Sequence, residues 1–533
     1  MAERNPSTYQ LIHLVKLLSN GMNSLLISDG VGVGKTVSAG YIICHVNQIL
    51  RKPVIVLCPP ILEDKWKMDL KLRFDLESFS AKHDEDFSLM LEEISSKKEN
   101  PRIYLLPYSM AHRRKIPNDF NVGLVVMDEI HNARNPSTNL YNALSQYCKS
   151  ADYRIGLSAT PIQNSIEDLA SSLSLLNPLA DFLIWRLFVD ELWRRKKLAS
   201  LSPFVTKFTK DKLKLNFTNR NVHRIEVEYS ASYALNVERI LKQIGESRGR
   251  KLTAFEKTTY LRLSSSSPEA FYNAVKRDLP DHQTNNKIDK LVELIETQNP
   301  GRWIIFTEFS KTSELIIDRL SNYQVSLISG ASSFSERYLA FDDFRSNPHN
   351  ILVMMPVGSE GLDLQVCSRL INFDLHWNPM VLEQRIGRID RLGQDKSEID
   401  VFNFIVRGSV DEHMMAVLRS KLDIVEDTFA STDQVISDDS RPFNIHEHIP
   451  SSKPEDELDN YIQGQKYYSD LPIEDYQLAE SIDENCCDCE NWKQHKQDWL
   501  YQEILHSEES RLIAINYRKQ TLPVLKILDE YRS

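Results

Sequence analysis

The stretch that most constrains this chain is Ser28-Asp29-Gly30-Val31-Gly32-Val33-Gly34-Lys35-Thr36. It stands between the apolar run Ser24–Ile27 and a helical pattern over Val37–Ile49, so it reads as strand, glycine turn, helix. Such a turn lets successive backbone N–H groups face inward around a polyphosphate. The positive end of the following helix adds to their field, Lys35 can neutralise the β/γ oxygens, and Thr36 can hold Mg2+. Asp29 occupies the position where such a loop usually has its first glycine. A glycine-rich turn is also an ordinary strand-to-helix connection, so the rest of the chain has to decide.

Continuous apolar runs at Pro53–Pro59, Arg102–Tyr108, Val122–Glu129 and Tyr153–Thr160 alternate with helical patterns. A second series begins near Arg302 with Arg302–Phe309, Gln324–Gly330, Ile351–Pro356, Arg369–Asp374 and Asp400–Val406. Short Val-, Ile- and Leu-rich runs with helices between them indicate parallel sheets covered on both faces. The fold class is therefore α/β with two parallel-sheet lobes, helical insertions and a helical C-terminal extension. The expected domains are an N-terminal ATP-binding lobe over 1–205, a helical insertion or linker over 206–284, a second lobe over 285–430, an acidic linker over 431–490 and the extension over 491–533.

At 533 residues the chain exceeds what one core supports, which agrees with several domains. No apolar run approaches a membrane span and the N-terminus lacks a signal-peptide core, so no membrane partner and a cytoplasmic location are expected. Cys44, Cys58, Cys148 and Cys367 stand singly in apolar segments and read as reduced core residues. The net charge of −11 is uneven: 16 acidic against 3 basic residues over 431–490 leave −13 there and +2 elsewhere. The total therefore does not exclude a nucleic-acid motor. Cys486, Cys487, Cys489 and His495 lack the paired Cys-x-x-Cys spacing of a zinc site.

Leu124-Val125-Val126-Met127-Asp128-Glu129-Ile130-His131 ends a buried strand in two carboxylates, at the edge where parallel sheets bind ligands. Asp128 can hold Mg2+ through water and Glu129 can polarise the water that attacks a γ-phosphate. A strand ending in two solvated acids would look the same; the pairing with Lys35 favours catalysis. Ser158-Ala159-Thr160-Pro161 closes the next run with hydroxyls that can couple to the acids or make a turn. In Gln384-Arg385-Ile386-Gly387-Arg388-Ile389-Asp390-Arg391-Leu392-Gly393-Gln394, Arg388 and Arg391 lie three apart and would share one helix face. Their rigid guanidinium groups suit the spreading charge of phosphoryl transfer.

These segments resemble the motifs of superfamily-two helicase-like ATPases of the Swi/Snf class, with two RecA-like lobes. Asp29 fits that class, whereas Gly30 stands where Glu is usual. Tyr9-Gln10 resembles the adenine-reading Q motif, and Cys58-Pro59 with Lys65-Trp66 resembles motif Ia. Asp128–His131 resembles motif II and Leu157–Asn164 motif III. Ile305–Phe309, Gly358–Gln365 and Gln384–Gln394 resemble motifs IV, V and VI. Leu261–Pro268 and Arg385–Arg391 look nearest to the bacterial RNA-polymerase-associated, RapA-like branch.

The resemblance implies ATP and Mg2+ as cofactors, Gln10 on adenine, and Asp29, Gly30, Val31, Gly32, Val33, Gly34, Lys35 and Thr36 on the phosphates. It implies Thr36 and Asp128 on the metal, Glu129 on water, Arg388 and Arg391 on the γ-phosphate, and Asp363 on ribose or relaying closure. Pro59-Pro60, Tyr108-Ser109 and Ser332-Ser333 would grip DNA phosphates, which carry position but not sequence. The expected activity is that of an ATP-dependent translocase on double-stranded DNA that remodels or displaces protein–DNA complexes, with protein partners in a bacterial complex. A nucleotide-gated DNA-binding switch subunit and an RNA-directed helicase are the alternatives. Trp492 and Trp499, one heptad apart, mark a docking helix or one packed on the second lobe.

Overall fold

The computed structural model describes residues 8–19, 23–96, 100–159, 161, 166–178, 180–195, 201–208, 213, 218–280, 283–298, 300–356, 364–377, 379–391, 394–416 and 418. They fall into two compact units, within Met1–Leu215 and within Asn216–Asp459.

The first unit is built on seven strands, β1 (Ser24–Ile27), β2 (Val54–Cys58), β3 (Ser78–Ser80), β4 (Ile103–Pro107), β5 (Val122–Asp128), β6 (Ala151–Leu157) and β7 (Val205–Thr206). Their order is β3-β4-β2-β5-β6-β1-β7, with every neighbouring pair parallel. Parallel neighbours need crossovers, which helices supply. Three of them, α1 (Thr8–Ser19), α2 (Lys35–Cys44) and α3 (Glu63–Phe74), cover one sheet face. Alternate residues of β1, β2, β4, β5 and β6, including Leu25, Val56, Leu105, Val126 and Ile155, form the core there with Leu14, Ile42, Trp66 and Leu70. The intervening residues Leu26, Ile55, Leu106 and Val125 are also fully buried, so both faces are covered, as the unbroken apolar runs require. Each such aliphatic side chain contributes roughly 1.5–3 kcal/mol of burial. At Gly40 of α2 a Cβ would stand 2.2 Å from the Phe74 ring, so glycine sets the spacing of α2 and α3.

The second unit has six strands, β8 (Asn219–Val227), β9 (Trp303–Phe306), β10 (Val325–Ile328), β11 (Ile351–Met354), β12 (Arg369–Asn372) and β13 (Glu398–Val406). Their order is β10-β11-β9-β12-β13-β8, again parallel throughout. Two α/β lobes are thus present, as the two series of apolar runs indicate. Residues 206–284 are not simply a helical insertion. Thr206 ends β7 of the first sheet and Asn219–Val227 forms the edge strand of the second, followed by helices Ala231–Ser247, Ala254–Ser266 and Pro268–Ala274. The strand lacks an apolar pattern because its exposed and half-buried residues, Asn219-Arg220-Asn221-Val222-His223-Arg224, are mostly polar.

Cys44, Cys58, Cys148 and Cys367 are buried thiols. The acidic segment 431–490, the extension 491–533 with its tryptophans, the Cys486–Cys489 cluster and Asp363 lie outside the described residues. Among the described residues no helix is long and apolar enough to cross a membrane.

Candidate active site

Register brings the chemistry of the first unit to one sheet edge. Asp128 of β5 pairs with Leu157 of β6, and Leu157 pairs with Ile27 of β1. The glycine loop, the acid pair and Ser158 therefore leave three adjacent strands at the same carboxyl end, where open parallel sheets bind ligands.

The loop turns through left-handed backbone at Gly32 (φ 81°) and Gly34 (φ 102°), conformations that glycine adopts without a Cβ clash. Gly34 precedes α2, and a Cβ there would stand 3.0 Å from Gln10 Nε2, so the loop and the side chain expected to read adenine are in contact. Lys35 Nζ donates to the Asp29 and Gly30 carbonyls at 2.9 and 3.2 Å. Tyr9 donates its hydroxyl to the Val33 carbonyl at 2.5 Å, and burial with the Asp29 charge raises its phenol pKa.

Asp29 is placed differently from its neighbours. Its carboxylate is fully buried, with Oδ2 3.0 Å from His13 Nε2 and Oδ1 accepting the Phe208 N–H at 3.0 Å. Phe208 returns a carbonyl to the Gly30 N–H at 2.8 Å. A buried carboxylate needs such partners. The side chain thus ties the loop to α1 and to the segment after β7, and it is the Asp29 backbone that faces Lys35.

The acid pair is equally fixed. Trp66 Nε1 donates to Asp128 Oδ2 at 2.8 Å, the Glu129 N–H to Oδ1 at 3.0 Å, and the buried Tyr108 hydroxyl to the Asp128 carbonyl at 2.6 Å. Tyr108, expected on a DNA-gripping loop, spends its hydroxyl inside the protein. Glu129 adopts φ 50°, ψ 51°, a left-handed conformation that costs a non-glycine residue roughly 1–2 kcal/mol. Such strain directly after the strand redirects the chain at the site.

Burial, then the Glu129 charge, push the Asp128 carboxyl up to about 6, against the Trp66 hydrogen bond and the charges of Lys65 and Lys35. His131 is pushed down to about 4 by burial and the Arg134 charge, so it is neutral at pH 7. Its Nδ1 lies 3.1 Å from Ser158 Oγ and 3.3 Å from Glu129 Oε2, joining the acid strand to the next strand end. Asp128, whose ionised form is disfavoured, adjoins Glu129 at this strand end, and Thr36, in the first turn of α2, is the hydroxyl of the loop; among the described residues no three His, Cys, Asp or Glu side chains cluster as a metal site.

In the second unit Arg388 and Arg391 do not share a helix face. The helix Pro379–Ile386 ends before them, and residues 387–390 continue as turns through Arg388 N→Arg385 O (3.1 Å) and Ile389 N→Ile386 O (3.0 Å). Gly387 within the segment weakens a continuing helix. Arg391 Nε donates to the Gly387 carbonyl at 2.8 Å, and the Arg388 carbonyl accepts the Leu364 N–H at 3.0 Å. Arg385 serves the interior, donating to Asn372 Oδ1, the Asp374 carbonyl and Glu308 Oε1. Glu308 also takes Arg262 at 2.6 Å, and Asp374 accepts from Thr307 and Ser266. The Leu261–Pro268 stretch is therefore part of the polar interior of this unit. Ser333, expected on DNA, caps the helix Phe334–Ser346.

Sequence reasoning assigned no role to His13, Phe208, Thr218 or Arg220, and none to the Trp66 indole. Each acts on a motif residue distant in sequence, and only the long-range fold pairs them.

Residues 9–273 match the family described as SNF2-related domain, and residues 286–393 match the helicase conserved C-terminal domain. The chain is 27% identical over 512 residues to "Uncharacterized ATP-dependent helicase YqhH" of Bacillus subtilis, covering 88% of this chain and 89% of that protein. It is 24% identical over 423 residues to "RNA polymerase-associated protein RapA" of Haemophilus influenzae, covering 73% of this chain and 44% of that protein. Among solved structures it is similar to "Sulfolobus solfataricus SWI2/SNF2 ATPase core in complex with dsDNA", with 22% identity and a TM-score of 0.37, covering 81% of this chain and 94% of that one.

Proposed function

Because the chain belongs to the SNF2-related helicase-like ATPases, whose two domains it carries in order, we propose that it couples ATP hydrolysis to movement along double-stranded DNA. It is an ATP hydrolase of that family. The observation that carries the reading is the convergence of Lys35, Asp128, Glu129 and His131 on one sheet edge, close enough for the Lys35 charge to act on both Asp128 and His131.

In this reading Gln10 meets adenine and the backbone from Asp29 to Thr36 cradles the phosphates. Lys35 turns from the Asp29 and Gly30 carbonyls toward the β/γ oxygens. Thr36 and Asp128 hold Mg2+, which when bound neutralises phosphate charge. Glu129 orients the attacking water, whose oxygen bonds to the γ-phosphorus as the bond to ADP breaks. Arg388 and Arg391 are the guanidinium donors to the γ-phosphate, and Asp363 touches ribose or relays closure. Tracking on duplex DNA, remodelling or displacement of bound proteins, a bacterial protein partner and a cytoplasmic location complete the reading. The similarity to an RNA-polymerase-associated protein supports the partner.

The test is ATPase turnover with no nucleic acid, duplex DNA or RNA, followed by displacement of a third strand from a triplex. Duplex stimulation with triplex displacement is expected. Stimulation without displacement would make the protein a nucleotide-gated switch, and stronger stimulation by RNA would make it an RNA-directed helicase.

A further inference from the structure

The arginine turn hangs from the end of a helix, and a short polar segment of the edge strand holds it. Asp390, between Arg388 and Arg391 in sequence, is fully buried and accepts hydrogen bonds from Thr218 and Arg220. Thr218 Oγ1 donates to Oδ1 at 2.8 Å, and Arg220 Nε and Nη2 converge on Oδ2 at 2.9 and 2.7 Å. The third nitrogen, Arg220 Nη1, donates to Glu383 Oε1 at 2.7 Å. One guanidinium therefore joins the helix, through Glu383, to the turn that follows it, through Asp390. The side chains of Arg220 and Asp390 are 4% and 0% exposed, so the grip is made away from solvent, where charged hydrogen bonds are strong. β8 is itself registered against β13 over its whole length, from Asn219↔Glu398 to Val227↔Val406, which fixes where Arg220 stands.

We propose that Arg220, assisted by Thr218, is the positioning residue of the arginine turn: by bridging Glu383 and Asp390 it sets the direction in which Arg388 and Arg391 leave the helix. The inference rests on the reading of those two arginines as γ-phosphate donors. Arg220 itself touches no substrate. Its planar fork is what the task requires, because a lysine carries the charge but cannot reach both carboxylates from one rigid group.

The test uses the full chain and measures kcat of the DNA-stimulated ATPase, nucleotide Kd and thermal melting. Arg220→Lys and Arg220→Gln are expected to lower kcat roughly hundredfold, the penalty for an ångström-scale misplacement, with nucleotide Kd unchanged. In a chain already carrying Arg388→Ala and Arg391→Ala, adding Arg220→Gln should lower kcat no further. A general structural role would instead multiply the two losses, and that result overturns the proposal. Unchanged kcat in Arg220→Gln, with Arg388→Ala slow, also overturns it while leaving the reading of the arginines standing. Full turnover in the double arginine variant removes that reading and the proposal with it. Should Arg220→Gln fail to fold, Thr218→Val, which deletes one hydrogen bond, carries the same cycle with an expected loss of a few-fold in kcat.

Discussion

Each unit sets a buried aspartate inside its working loop, and the two are held by different chemistry. Asp29 in the glycine loop is held by the His13 ring and the Phe208 backbone N–H. Asp390 in the arginine turn is held by the Arg220 guanidinium and the Thr218 hydroxyl. The first anchor includes a main-chain donor and sits beside a sheet edge that three strands define. The second uses the side chains of Arg220 and Thr218 on a turn that follows a helix. The glycine loop thus follows strand register and a main-chain donor, whereas the carboxylate of the arginine turn is held through side-chain donors.

This contrast is broken most directly at Arg388. If the second unit serves the transition state alone, Arg388→Ala should cost roughly 10³–10⁵ in kcat, as loss of an arginine finger does, with little change in nucleotide Kd. A large rise in Kd with unchanged kcat would erase the division of labour. Stopped-flow nucleotide binding beside steady-state turnover separates the two.

Glu129→Gln sharpens the contrast from the other side. A residue that orients or deprotonates the attacking water is worth roughly 10²–10⁴ in rate, so turnover should fall by that factor while binding survives. Lys35→Ala should instead weaken binding if, as proposed, the ammonium meets ground-state phosphate charge. Retained turnover in Glu129→Gln would assign water activation elsewhere.

Acid should act on the first unit. The Asp128 carboxyl, raised to about 6 by burial and the Glu129 charge, must be ionised to hold a cation. Mg2+ affinity should therefore fall about tenfold for each pH unit below about 6, measured by Mg2+ titration of nucleotide binding. The stability contributions have opposite signs. With a folded pKa above the unfolded one, Asp128 binds its proton first in the folded state, so this group favours folding increasingly as pH falls through about 6. His131, lowered to about 4, binds its proton first in the unfolded chain, and its contribution is lost as pH falls from about 6.5 to about 4.

Much of this architecture was legible. The runs Pro53–Pro59 and Val122–Glu129 became β2 and β5 because strands covered on both faces must be apolar throughout, and that signal survives in a single sequence. The run Val122–Glu129 also places Asp128 and Glu129 at a strand end, and the glycine turn places Lys35 at the start of α2. What failed depends on partners. Asp29 looks like any other loop residue until His13 and Phe208 are brought to it. The three-residue spacing of Arg388 and Arg391 shows what a helix would align, not that Ile386 ends it. β8 was missed because an edge strand that holds polar residues against a neighbouring motif lacks the apolar alternation used to find strands.

The smallest expected effect is at Trp66, and it asks whether the first unit's rigidity includes the tuning of its acid. The indole N–H donates to Asp128 Oδ2 at 2.8 Å and favours the ionised carboxylate. Trp66→Phe keeps an aromatic ring among Leu70, Val56 and Val126 but removes the donor. The Asp128 pKa should then rise above about 6, which moves the acid limb of the pH–rate profile upward without changing the plateau at alkaline pH. Near neutrality the loss should be a few-fold, because one hydrogen bond to a charged group is worth roughly 1.5–3 kcal/mol at most and the carboxylate keeps the Glu129 N–H. A plateau that falls together with the limb would mean that the indole shapes the site through packing. An unmoved limb would mean that burial, the charges of Glu129, Lys65 and Lys35 and the Glu129 N–H set the acid without the indole.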